Sequence, residues 1–276
     1  MSTNIEYVLY TLGQMEFGGK PIPAADELRN RLVELEQGRK VPLVTFNCLE
    51  TSWRPAAKRY PQTIFAPNVD QAVCKYSLDA IEIVRLELQQ VGSPDLKVTI
   101  PDSELTDDRV FSFVQTDTER LTITRTFRDE LTQALSQLNN PNTPVTLWSE
   151  YCQYQDLRKP VDYTRENYDR LQKTPSLMQK VVGQVRDSKK YFERNGLFKD
   201  YLDNIREDEM LERVSWYLAM YMGEGQALSE SRAIALNLED GRVSAWFQRG
   251  ADGKLPVLTP VDATEFYRWR AKKTSE

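Results

Sequence analysis

The chain has no histidine. That excludes Ser-His-Asp and Cys-His activation of a nucleophile, and every metal site built on imidazole. Proton transfer then falls to Asp, Glu, Tyr, Lys, Cys, a substrate group or water. Cysteine is scarce: Cys48, Cys74 and Cys152 are widely spaced and odd in number, so they make neither a zinc set nor a secreted disulfide framework. Glycine is also sparse, at 12 of 276 residues, and neither GxGxxG nor GxxxxGK[ST] occurs. A dinucleotide or ATP phosphate loop is therefore not expected. There is no apolar run of about 18 residues and no basic-then-apolar leader at the N-terminus. Basic charge is not in excess either: 41 acidic against 36 basic residues give −5, so any nucleic-acid contact must use a local basic face. A reduced, cytoplasmic, soluble protein without metal or cofactor is the expectation.

What is present is an alternation of strand-like and helix-like segments. With 40% apolar and 28% charged residues a packed core is expected. Residues 1–20 end in a Gly18-Gly19 joint. ADELRNRLVELEQ places Leu28, Leu32 and Leu35 on one side of a helix that Gly38 stops. Val41 to Phe46 reads as a buried strand, and three prolines over 53–71 as an irregular crossover. Ser77 opens a helix with Ile81, Val84 and Leu88 inward, followed by the strand LKVTI and its stop at Pro101-Asp102. The capping-box spacing of Thr116 to Glu119 starts a helix to about Leu138, and VTLW is a third strand. Helices follow at about 164–173 and 175–194, the second with Thr174 as cap and Pro175 at its first position. Glu207 to Met222 is strongly amphipathic, with Gly223 as its stop. Two strand-like runs flank an Asp240-Gly241 turn, and a short aromatic helix closes the chain. The pattern predicts an α/β, Rossmann-like three-layer fold: a mostly parallel sheet with helices on both faces. The expected organisation is an N-terminal extension and helix over 1–40, a Rossmann-like catalytic domain over 41–250, and a tail over 251–276.

In parallel sheets ligands sit beyond the carboxyl ends of the strands, which directs attention to the segments after Phe46, Ile100 and Trp148. The first reads Asn47-Cys48-Leu49-Glu50-Thr51-Ser52. Cys48, Thr51 and Ser52 are candidate nucleophiles there, and a thiol needs no strong base. The structural alternative makes Cys48 a small buried residue and Ser52 a loop capper. Asp102, with Asp107 and Asp108, holds a divalent ion, meets a substrate ammonium, or solvates its loop, the last being the commoner use of such residues. Two helical faces are basic: Arg120, Arg125 and Arg128 on one, Arg186, Lys189 and Lys190 on the other. Each can track phosphates or stand as a solvated face paired with local acids. Tyr217 and Tyr221 lie one turn apart, with Glu224 following; a tyrosine stripe serves a core as readily as a substrate amine.

The order of these elements resembles the cyclodipeptide synthases, over roughly residues 41–240, more in layout than in motif. Those enzymes are tRNA-dependent, on a Rossmann-like fold related to class I aminoacyl-tRNA synthetase domains. The family's Gly-x-Ser at the first strand end falls on Phe46-Asn47-Cys48, so the resemblance makes Cys48 the acyl acceptor and Ser52 its fallback. The family's late-helix Tyr-x-x-x-Glu falls on Tyr217, with Tyr221 where the carboxylate would stand and Glu224 three positions further on. The resemblance implies Asn47, Glu50, Asp102, Glu150 and Tyr221 as substrate contacts, and Arg120, Arg125, Arg128, Arg186, Lys189 and Lys190 as contacts to aminoacyl-tRNA. It implies no cofactor, because the tRNA ester is already activated. The divergent fungal branch of the family, which makes arginine-containing products, is one place for such departures. A second resemblance is to isocyanide synthases: DDRVFSF followed by TFRDEL is similar to their Asp-Gly-Arg-Val-Phe segment and the helix after it, with Arg109 facing a sugar phosphate. A third reading is a Rossmann-like binding domain without chemistry.

Overall fold

The computed structural model describes residues 3–17, 24–46, 81–100, 128–129, 132–133, 145–194, 206–237 and 256–258. In chain order these form α1 (Thr3–Phe17), α2 (Ala25–Glu36), β1 (Pro42–Phe46), α3 (residues 81–88), β2 (Asp95–Ile100), β3 (Val145–Leu147), α4 (Trp148–Tyr154), α5 (Pro160–Lys173), α6 (Pro175–Arg194), α7 (Glu207–Glu230), β4 (Ile234–Asn237) and β5 (Val257–Leu258). Arg128, Asp129, Thr132 and Gln133 are also helical.

The five strands run in the order β3-β2-β1-β4-β5, and each neighbouring pair is parallel. Strand alternation decides what each face carries. On one face Leu43, Val98, Val145, Ile234 and Leu236 pack with Ile5, Val8 and Leu12 of α1, Leu28, Leu32 and Leu35 of α2, and Ile81, Val84 and Leu88 of α3. On the other face Val44, Ala233 and Ala235 pack with α4 through Trp148 and Tyr151, α5 through Tyr163 and Leu171, α6 through Val181 and Val185, and α7 through Leu218, Met222 and Leu228. The result is the expected three-layer, Rossmann-like α/β fold. The α3 crossover from β1 to β2 and the α4–α7 crossover from β3 to β4 lead in opposite directions along the sheet. They accordingly cover opposite faces.

Sequence and structure part company in four places. The first 20 residues hold α1, whose Ile5, Val8, Leu9 and Leu12 at helical spacing are buried in the same cluster as α2 and the sheet. The strand VTLW ends at Leu147. Trp148 opens α4 because the Glu150 carboxylate accepts the Leu147 N–H at 2.8 Å and starts the turn. Thr174 does not cap α6 with its hydroxyl, which donates instead to the Arg170 carbonyl at the end of α5, 2.7 Å away; Pro175 is the first residue of α6, as expected. Finally, α7 does not stop at Gly223 but runs to Glu230. A Cβ at position 223 would stand 2.9 Å from the Tyr163 Cβ, so this glycine serves the close approach of α5 rather than a helix end. By contrast Gly38, at φ +75°, does end α2, with its N–H on the Leu35 carbonyl. The expected second run after Asp240-Gly241, the helix from Thr116 to residue 127 and the tail helix lie outside the described residues.

The amino end of the sheet is densely tied. The Arg31 guanidinium, 1% exposed, donates to the Ala233 carbonyl and to Glu27 Oε1. Burial lowers the pKa of that guanidinium from its ordinary value, and Glu27 opposes the shift. Arg232, in the left-handed region at φ +57°, donates from Nε to Glu34 at 3.0 Å. These contacts join α2 to the turn between α7 and β4.

Candidate functional site

The chain leaves β1 toward β2 and β3 on one side, and returns with β4 and β5 on the other. The strand order therefore reverses between β1 and β4. In open parallel sheets the ligand crevice opens at such a reversal, beyond the carboxyl ends. Here those ends are Phe46 and Asn237, which face each other in register.

Helix α7 overhangs this point. Only residues 231–233 separate it from β4, so the helix runs antiparallel to the strand and against the same face. A four-residue strand rises about 13 Å, which about nine helical residues match. Counted back from Glu230, α7 passes the end of β4 near Tyr221, and its earlier turns extend beyond the sheet. Tyr217, Tyr221, Glu224 and Leu228 recur at i, i+4, i+7 and i+11, so these positions form one stripe on α7. Glu224 is 1% exposed. The adjacent stripe through Trp216, Gly223 and Gln226 faces α5: Trp216 tilts against Tyr168 at 5.3 Å between rings, and Gln226 accepts from Asn167 at 3.1 Å. The Tyr217–Glu224 stripe is thus set apart from the α5 contact.

Near the same end, Thr99 and Thr146 meet across β2 and β3 with their hydroxyl oxygens 3.4 Å apart. Thr45 is fully buried one residue short of the end of β1, and its hydroxyl has no hydrogen-bond partner among the described residues. Sequence reading passed over Thr45, although a hydroxyl in the otherwise apolar run VPLVTF was a visible signal.

Glu150 has two structural tasks. Besides the N–H of Leu147 it holds Arg128 at 3.3 Å, with both side chains partly exposed. Such a pair is worth about 0–1 kcal/mol. Arg128 therefore stands beside β3, at an edge of the sheet, rather than at the β1–β4 reversal. Arg186, Lys189 and Lys190 share one exposed side of α6 at i, i+3 and i+4. α5 runs antiparallel to α7, from Tyr163 beside Glu230 to Tyr168 beside Trp216, so α6 begins at the carboxyl-end side of the sheet. The structure thus puts positions 217, 221 and 224 in one line on α7 near the reversal; Arg186, Lys189 and Lys190 lie well along α6, about 17–23 Å from its first residue, and are not brought to that line. Asn47, Cys48, Glu50, Thr51, Ser52, Asp102, Arg120 and Arg125 lie outside the described residues.

Away from this end, burial pushes the Tyr151 hydroxyl well above its ordinary pKa, against the lowering effect of its bond to Ser231 Oγ at 2.6 Å. Burial and the Glu230 carboxylate together raise Tyr163 from 10.0 to about 12. Among the described residues no group of three or more acidic or cysteine side chains is placed to hold a metal ion, and no helix is long and apolar enough to cross a membrane. Comparison with protein-family models, curated proteins and solved structures finds no match for the chain.

Proposed function

We propose that the protein is a tRNA-dependent cyclodipeptide synthase, an aminoacyltransferase that joins two aminoacyl groups through an aminoacyl-enzyme. The observation that carries the reading is the line of Tyr217, Tyr221 and Glu224 on α7, which passes the carboxyl end of β4 next to β1. A buried carboxylate and two tyrosine positions thereby share the helix that covers one face of β1 and β4, and the residues that follow β1 in sequence include Cys48 and Ser52. The seven-residue separation of Tyr217 and Glu224 keeps both on one side of the helix, which offsets the displacement of the carboxylate in sequence.

The reaction runs in three steps. The Cys48 thiol, or the Ser52 hydroxyl in its place, attacks the carbonyl of an aminoacyl-tRNA. The ester C–O bond breaks, and the ribose oxygen leaves with the proton that the nucleophile gives up. Next the amine of a second aminoacyl-tRNA, positioned by Tyr217, attacks the acyl-enzyme. The bond to Cys48 breaks, and Glu224 passes the amine proton to the departing sulfur; Glu50 is the alternative carrier. The free amine of the resulting dipeptidyl-tRNA then attacks its own ester carbonyl; a six-membered ring closes, the ester C–O bond breaks, and the ribose oxygen of the second tRNA leaves with the amine's proton. No oxidation or external energy source enters. Holding both esters together supplies about 7–11 kcal/mol of the barrier. Arg186, Lys189 and Lys190 on α6, with Arg120, Arg125 and Arg128, take the tRNA phosphates. Binding should then weaken steeply with salt. The cytoplasm is where charged tRNA is found.

The test is intact-mass analysis of the purified protein after incubation with charged tRNA. The reading requires an added aminoacyl mass that disappears in Cys48→Ala and persists in Ser52→Ala. Equal adducts and product in wild type and both variants would exclude the covalent route.

A further inference from the structure

The packing of α5 against α7 has a polar centre where an apolar one would serve. On α5, Tyr163, Asn167 and Leu171 recur at i, i+4 and i+8, and each is 1% exposed or less. Asn167 Nδ2 donates to the Tyr163 carbonyl of its own helix at 2.9 Å and to Gln226 Oε1 of α7 at 3.1 Å. Gln226 Nε2 then donates to Glu230 Oε1 at 3.2 Å, and Glu230 accepts the Tyr163 hydroxyl. The circuit runs in one direction. Both amide N–H groups of Asn167 are given away, so Gln226 presents its oxygen to Asn167 and its nitrogen to Glu230. Apolar ridges fit neighbouring grooves in more than one alignment, whereas this set of donors and acceptors matches in one. Fixing an alignment at a cost in stability is the best-attested use of a buried polar group between helices.

What is aligned here is the helix that carries Glu224. The turn over residues 231–233 holds α7 at one height along β4, and packing sets its rotation. Gln226 is two residues from Glu224 and so about 200° around the helix from it. A side chain stands about 5–6 Å from the axis, so a rotation of about 20° moves it by about 2 Å. We infer that Asn167 and Gln226 are positioning residues: their hydrogen bond sets the rotation of α7 and with it the direction of Glu224. The alignment follows from the contacts of α5 with α7 alone. Its consequence for catalysis rests on the proposed function.

The experiment uses the full chain with Asn167→Leu and Gln226→Met combined, which keeps the side-chain shapes and removes the hydrogen bonds. Three readouts are compared with wild type: thermal melting, the Trp216 indole N–H resonance, and cyclic dipeptide released by bacterial cultures per folded molecule. The Trp216 ring lies against Tyr168 of α5, so its resonance reports the alignment, and its loss in Trp216→Phe assigns it. Wild type should give one indole signal. The double variant should melt no more than about 4 °C below wild type, give a broadened or multiple indole signal, and lose product by about tenfold or more. A single signal at the wild-type position would overturn the inference. So would a larger fall in melting temperature, which would make the pair a stabilising contact, and so would undiminished product beside multiple signals. Should the double variant not fold, Gln226→Met alone decides by the same indole signal, since Gln226 is only half-buried. Wild-type cultures without cyclic dipeptide would defeat the proposed reaction, and the indole and melting comparisons then decide the alignment by themselves.

Discussion

The two ends of the sheet are built differently. At the amino end Arg31 reaches the Ala233 carbonyl, Arg232 reaches Glu34, Tyr151 reaches Ser231 and Tyr163 reaches Glu230. Each contact joins elements distant in sequence, and most of the groups are buried or half-buried. At the carboxyl end the described polar contacts are fewer and lie toward the β3 edge: Thr99 with Thr146, and Glu150 with Leu147 and Arg128. Two further polar groups are buried near the reversal, on opposite faces of the sheet: the Glu224 carboxylate on the α7 side, and on the α1–α3 side the Thr45 hydroxyl, which has no partner among the described residues. The first end uses its polar groups to hold layers together, and the second has fewer such ties among the described residues. The contacts of the first end serve stability, and the proposed function places its chemistry at the second.

Substitutions can break the contrast, and the largest effect is expected at the carboxyl end. Glu224→Gln keeps shape and removes the proton acceptor. Cyclic dipeptide yield should fall by about a hundredfold or more, the usual contribution of a positioned acid–base group, while the urea midpoint stays close to wild type. Equal loss of stability and product would instead make Glu224 a packing residue.

Next in size is Arg31→Met at the amino end. It strands the Ala233 carbonyl and the Glu27 carboxylate, and should cost about 2–4 kcal/mol in urea unfolding. Product per folded molecule should not change. A drop in turnover at full folding would erase the distinction between the two ends.

Gly223→Ala comes third. Its added Cβ meets Tyr163 at 2.9 Å, with backbone of Tyr163 and Thr164 close behind, so neither helix can yield cheaply. A loss of about 1–3 kcal/mol is expected in the same assay. A neutral result would mean that the α5–α7 approach is looser than described.

The smallest effect is in pH dependence. Tyr163 titrates at 10.0 when unfolded and at about 12 when folded. Its raised value favours the folded protein below pH 10, and that advantage is lost as pH climbs from 10 through 12. Tyr151, raised in the same direction by burial, adds to the loss. Melting temperature should therefore fall over this window, and Tyr163→Phe should fall less steeply. An identical slope would remove Tyr163 from the amino-end network.

These regions also differed in how plainly the sequence announced them. The β1 and β2 segments and α2 were legible because short apolar runs and i, i+3, i+4 leucines respond to burial directly. α1 carried the same signal in Ile5, Val8, Leu9 and Leu12, and went unread beside the Gly18-Gly19 joint. Gly223 misled because the same residue type serves a helix stop and a close helix contact; only the position of Tyr163 separates them. Trp148 opens a helix with no Ser, Thr, Asp or Asn cap, since Glu150 supplies the acceptor from three residues beyond Leu147. β5, two residues long, is too short for a periodicity to declare it. For the site, the sequence named Tyr217, Tyr221 and Glu224 but not that they share a stripe beside the strand reversal. That fact needs the direction of α7 against β4, which no local pattern encodes.

The most direct test of the central claim is mass spectrometry of small molecules released by bacteria expressing the wild-type chain and Glu224→Gln. The account predicts a cyclic dipeptide mass with wild type, absent with Glu224→Gln at equal levels of folded protein. An isonitrile, no product at all from folded wild type, or undiminished product from Glu224→Gln would contradict it.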